Sequence, residues 1–203
     1  MSSISSDPSA SAVASNSFIL IPHTVTDLQD FTENHPTYLV SVYEEPERAA
    51  SLWRERLRRN PYGDEGYVAL EHYGRDLIAG DLWDHVGGVW SNLVAAIGSF
   101  LEDGSAETSF PGQPAPILLR RVRGSTLLTI NTETSVVDPA TFFPGVLNEA
   151  ERYFKWVAGN IGENVSGPLQ EIARIREGLR DSPWRAGAPR PWPPRPPCSP
   201  RAG

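Results

Sequence analysis

The chain has 203 residues, 25 acidic and 18 basic side chains for a net charge of -7, and a single cysteine. That length supports one well-buried domain with extensions. The acidic balance argues against binding a nucleic-acid backbone, which needs clustered Lys and Arg, and one cysteine makes neither an internal disulfide nor a thiolate metal site.

Residues 1–17 are mostly Ser, Ala and Asn, with little to bury, and are expected to be flexible. Phe18 to Ile21 ends at Pro22 and predicts an edge strand, since proline removes a ladder donor. Tyr38 to Tyr43 is dense in β-formers and predicts a second strand; the polar stretch between them has room for one helical turn around Leu28 and Phe31. Glu45-Pro46 opens a helix that runs to Arg59, proline suiting the first helical position. Its buried set is Ala50, Leu52, Trp53 and Leu57. Arg54, Arg56, Arg58 and Arg59 crowd its end, where cations suit the helix dipole, and Asn60-Pro61 stops it.

Tyr62, Tyr67, Leu70, Tyr73, Leu77 and Ile78 predict a helix over 65–79, ended by Gly80. The strongest periodic signal follows. Leu82, Val86, Val89, Trp90, Leu93, Val94, Ile97, Phe100 and Leu101 recur mostly at steps of three and four, the stripe of a buried helix face. Asp81 and Asp84 stand before it as an acidic capping pair. Gly87 and Gly88 inside this helix each cost about 1 kcal/mol against alanine, so either a neighbour packs closely there or the helix bends, close packing being the commoner reason.

After Gly104 comes a polar bend that includes Phe110-Pro111-Gly112; Ile117 to Arg123 and Thr126 to Thr132 then predict a hairpin turned at Gly124-Ser125, with a short third strand near Ser135 to Val137. Asp138-Pro139 starts a helix to Gly159, its stripe formed by Phe142 or Phe143, Val146, Leu147, Ala150, Phe154 and Val157. A last amphipathic helix spans Pro168 to Arg180. From Pro183 onward eight of 21 residues are proline, four are arginine and none is acidic, the composition of an extended, disordered tail. The expectation is an α+β fold: a single, mostly helical domain over 18–182 with a small antiparallel sheet, between the flexible segment 1–17 and the Pro/Arg-rich tail 183–203.

Few residues announce chemistry. His23, His35, His72 and His85 do not form a His-Glu-x-x-His zinc pattern. His72 with Asp76, and Asp81 with His85, are i,i+4 pairs on the predicted helices, and their convergence would give a small enzyme a His/Asp site; such pairs are also ordinary on any solvated helix. There is no phosphate-binding glycine loop and no Gly-x-Ser-x-Gly elbow, and neither cofactor nor metal is expected. Arg120, Arg121 and Arg123 suit a phosphate less well than a solvated sheet face. Arg190, Pro193 and Pro196 match the spacing of ligands for Pro-binding domains, a match that a tail of this composition also makes by chance.

Residues 1–104 carry sixteen acids against six bases. The reading that follows is a non-enzymatic protein-binding module whose partner is a basic protein. The candidate contacts are Glu44, Glu45 and Glu47 beside the first long helix, with Asp64, Glu65, Asp81 and Asp84 flanking the next two. The profile resembles, in composition alone, bacterial immunity proteins that neutralise a toxin by binding it; an adaptor is the other form of the same reading. The alternatives are the small enzyme around residues 72–85 and a structural subunit that oligomerises through the central helix. No basic residue precedes Arg48, which argues against a secretory signal peptide, and no apolar run approaches the about eighteen residues of a membrane span, so the cytoplasm is the expected location.

Overall fold

The structure, a computed structural model, describes residues 12–181. Residues 1–11, the Pro/Arg-rich tail, Cys198 and the Arg190, Pro193 and Pro196 spacing lie outside the described residues. Five α-helices and two antiparallel sheets, 46% helix and 27% strand, make the fold α+β. The expected mostly helical domain with one small sheet is thereby corrected.

The first sheet contains β1 (Val13–Leu20), β2 (Leu39–Ser41), β3 (Glu65–His72), β4 (Arg75–Asp76) and β5 (Asp84–His85). Its order is β2-β1-β3-β4, with β5 pairing the start of β3. β1 is therefore an interior strand rather than an edge, and it begins inside the segment expected to be flexible. Its serines conceal this. Ser17, fully buried, accepts a hydrogen bond from Trp90 Nε1 at 3.0 Å, and Ser15 donates to Glu149 at 2.6 Å. Both partners lie far along the chain, so the segment reads as having nothing to bury.

The predicted helix over 65–79 is instead the β3–β4 hairpin. Val68, Leu70 and His72 alternate as one buried face of β3, while Tyr67 packs on the opposite face against His35, with ring centroids 5.5 Å apart. Burial on both faces blurs the period of two, and the remaining aromatics then fall at helical spacing. Tyr73 and Gly74 make the turn at φ 51° and 74°, the pair of left-handed residues that a two-residue hairpin loop requires.

α1 (Leu28–Asn34), capped by Asp27, leads into a 3-10 turn at His35–Tyr38 on the Tyr67 side of the sheet. α2 (Pro46–Leu57) has proline in its first turn and buries Ala49, Ala50 and Trp53, leaving Leu57 exposed. α3 (Val86–Asp103) leads into a four-stranded meander of β6 (Ser105–Ser109), β7 (Pro116–Val122), β8 (Ser125–Ile130) and β9 (Glu133–Val137). β6 occupies part of what reads as a polar bend. α4 (Pro139–Asn160), capped by Asp138, and α5 (Ser166–Asp181) complete the fold.

α3 packs against both sheets, α4 and α5. Val86, Val89, Trp90, Leu93, Val94, Ala96, Ile97, Gly98 and Phe100 are buried along its 18 residues, an apolar stripe covered by the chain's own elements. Among the described residues no helix is long and apolar enough to cross a membrane.

Two predictions follow from the packing of this core. Trp90→Ala should cost about 3–5 kcal/mol, and Ser17→Ala about 1–3 kcal/mol because the enclosed indole N–H is left unpaired; urea unfolding measures both, and a shift in either variant near zero would contradict the packing described. The second concerns Tyr67, whose hydroxyl donates to the Ile78 carbonyl at 2.7 Å. Burial, with Asp76, Asp81 and Glu71 adding to it, pushes the phenol up to about 12. Because the folded value lies above the unfolded one, the stabilisation is complete below the ordinary tyrosine range of about 10 and is lost as pH rises through the folded value. Tyr67→Phe should be less stable than the parent by about 1 kcal/mol at neutral pH, and denaturant curves should show the gap narrowing across that alkaline window.

Candidate functional site

The N-terminus of α3 determines where several of the candidate acids go. The first turn of a helix has backbone N–H groups without helical partners, and α3 begins in a crowded part of the molecule. Asp64, immediately before β3, supplies the answer: its Oδ2 accepts from Gly87 N at 2.8 Å, and its carbonyl accepts from Val86 N at 3.0 Å. The expected capping by Asp81 and Asp84 is corrected. Asp84 is only 6% exposed, and its carboxylate receives Gly112 N at 2.8 and 3.0 Å, tying the Phe110-Pro111-Gly112 bend to β5. The close packing expected at Gly87 and Gly88 is present. A Cβ on Gly87 would lie 2.9 Å from Asp64 Oδ2, and one on Gly88 would collide with Pro111.

The seven candidate acids therefore divide. Asp64 and Asp84 hold backbone, and Glu65 pairs with Arg56. Glu44, Glu45, Glu47 and Asp81 are exposed. Glu45 pairs with Arg48 at 2.9 Å, whereas Glu44, Glu47 and Asp81 form no ion pair among the described residues. Asp81 lies on the rim of a cleft of about 330 Å³, with Arg75, Asp76 and Glu133.

The His/Asp constellation does not assemble. His72 ends β3 and is buried against Phe142 on α4, with ring centroids 5.3 Å apart. Burial lowers its pKa, the Asp138 charge opposing in part. His85 pairs with Glu65 at the other end of β3, and seven residues of strand separate the two ends by roughly 23 Å. Asp76 lies in β4 opposite Glu71. Among the described residues no group of three or more His, Cys, Asp or Glu is placed to hold a metal.

A different cluster does converge. The loop from α2 to β3, the start of α3 and one side of α4 enclose a cleft of about 240 Å³. It is lined by the aromatics Trp53, Tyr62, Tyr153 and Phe154 and by the carboxylates of Asp64 and Glu163. No Lys or Arg is among its described lining residues. Tyr153 is 0% exposed and Trp53 3% exposed, and neither the phenol hydroxyl nor the indole N–H has a hydrogen-bond partner among the described residues. Burial pushes the Tyr153 hydroxyl well above the usual tyrosine range, with the Asp64 charge adding to it, so it keeps its proton. Tyr62, 56% exposed, stands at the mouth, its ring 4.3 Å from that of His85. His85 Nδ1 in turn approaches Asp64 Oδ1 at 3.4 Å.

Sequence reasoning places Trp53 in the core and passes over Tyr153. The available signal is the spacing Val146, Ala150, Tyr153, Val157, which puts a phenol on an apolar stripe. Comparison of the chain with protein-family models, with curated proteins and with solved structures returned no match.

The division of the acids is testable by substitution. Asp84→Ala should cost about 1.5–3 kcal/mol, because a buried carboxylate that accepts from the backbone N–H groups of Gly112 and His85 is removed. Asp81→Ala should stay within about 0.5 kcal/mol of the parent, as surface changes do. Urea midpoints for the two variants make the comparison, and equal midpoints would refute it.

Proposed function

We propose that the chain is a non-enzymatic binding module for a basic protein, either an immunity-type protein that neutralises a toxin or an adaptor. The supporting observation is the division within the acidic half. The fold uses Asp64, Glu65 and Asp84 for its own contacts, whereas Glu44, Glu47 and Asp81 lie exposed and unpaired among the described residues. Exposed carboxylates without counter-charges create a field that speeds encounter with a cationic surface and disfavours acidic ones. Glu44, Glu45 and Glu47 fall within four residues at the entry to α2, which concentrates that field. With a net charge of -7 and one cysteine, the cytoplasm is the proposed place of action.

A pull-down with the full chain supplies the partner, and association kinetics across salt supply the test. The rate should fall several-fold between about 0.05 and 0.5 M salt as the Debye length contracts. Reversal of Glu44, Glu45 and Glu47 to Lys should slow association further and lower the urea midpoint modestly without unfolding the domain, since lysines oppose the dipole at the start of α2 and the Glu45–Arg48 pair is lost. A rate indifferent to both salt and reversal would overturn the proposal.

A further inference from the structure

We propose that the cleft between α2, α3 and α4 receives an arginine side chain presented by the basic partner, an inference that rests on the reading above. Its volume, about 240 Å³, is below the range of about 300–1,000 Å³ usual for small-molecule sites, and suits a single inserted side chain. Four aromatic residues and two carboxylates, with no Lys or Arg among the described lining residues, favour a cation. A guanidinium fits better than an ammonium. It is planar, stacks on aromatic faces, is more weakly hydrated and presents five donors in a fixed fork.

The acceptors for that fork lie together. Asp64 Oδ2 and the Tyr153 hydroxyl oxygen are 2.9 and 3.7 Å from the position a Cβ on Gly87 would occupy. Both atoms therefore lie close to Gly87, and the three residues line the cleft together. Asp64 is already oriented by its bond from Gly87 N, while the Tyr153 oxygen, fully buried, has no partner among the described residues. The Trp53 indole edge lies beside Gly63, where a Cβ would collide with it. An indole N–H only donates, so it calls for a carbonyl oxygen and not for a cation. A peptide carries both groups, which is why the inference specifies an arginine residue and not a free guanidinium. Arg54 and Arg56 of α2, and Arg59 beyond its end, are engaged elsewhere: Arg54 donates to the Asn160 carbonyl, Arg56 to Glu65 and the Leu20 carbonyl, and Arg59 meets His23.

The test titrates the full chain with acetyl-Gly-Arg-Gly-amide and with its lysine and citrulline counterparts, read by calorimetry and by the Trp53 indole resonance. The arginine peptide should bind saturably and shift that resonance, with the other two weaker by about tenfold, the loss of one good charged contact. Tyr153→Phe should weaken binding by about threefold to tenfold without lowering the urea midpoint, because the removed hydroxyl has no partner in the free protein. Asp64→Asn keeps a side-chain oxygen for Gly87 N while removing the charge, and should weaken binding more. Equal binding of the three peptides, or full affinity in both variants, would overturn the inference. So would tighter peptide binding when Arg185, Arg190, Arg195 and Arg201 are all changed to Gln, which would give the cleft to the chain's own tail. Glu44, Glu45 and Glu47 do not line the cleft, so the salt and reversal kinetics test the basic partner separately from this pocket.

Discussion

A helix that starts among other elements finds partners for its first peptide groups within the protein, and α3 packs against two sheets and two helices. Its N-terminus is the point at which this requirement organises other parts of the chain. Asp64 comes from 23 residues earlier to accept from Gly87 N, and Asp84 holds Gly112, 28 residues on. These contacts draw the start of β3, the start of α3 and the loop after β6 together. Each such charge-assisted bond contributes about 1.5–3 kcal/mol. Two carboxylates that composition alone assigns to solvent are thus structural.

The same requirement explains how a polar cleft forms beside a dry core. Asp64 must lie against Gly87, and Tyr153 of α4 reaches the same place from the other side. Trp53 of α2 packs tilted against Trp156 of α4, with centroids 5.9 Å apart, and Trp156 stacks on the Tyr153 ring at 6.2 Å. The aromatic wall is held by packing between two helices, so it is preorganised. The phenol and indole polar groups within it are enclosed without partners among the described residues. Phenylalanine would fill the Tyr153 site without that penalty, which makes the hydroxyl a feature that packing alone does not call for.

The surface outside the cleft is uneven in how its carboxylates are paired. Counter-charges meet several carboxylates on α3, α4 and α5: Glu151 lies between Lys155 and Arg176, and Glu171 and Glu102 share Arg174. Among the described residues the entry to α2 is answered only by Arg48. Exposed pairs contribute little to stability, so the contrast concerns the electrostatic field offered to a partner more than the strength of the fold.

What the sequence determined by itself were the features that short-range chemistry dictates. Helix periodicity identified α3 and its buried Trp90, Leu93 and Ile97; Asp138-Pro139 and Glu45-Pro46 marked the starts of α4 and α2; Gly124 marked the β7–β8 turn. Each depends on neighbours within about one helical turn or one hairpin loop. The candidate acids were legible as acids but not by role, since capping by Asp64 and anchoring by Asp84 depend on residues more than twenty positions away. β1 was hidden because Ser15 and Ser17 bury themselves on Glu149 and Trp90, and β3 because burial on both faces erased its alternation. The cleft was decided by tertiary structure alone. Trp53, Asp64, Gly87 and Tyr153 carry no joint signal along the chain, and only the packing of α2, β3, α3 and α4 around the enclosed helix end places two acceptors and an indole donor around one space.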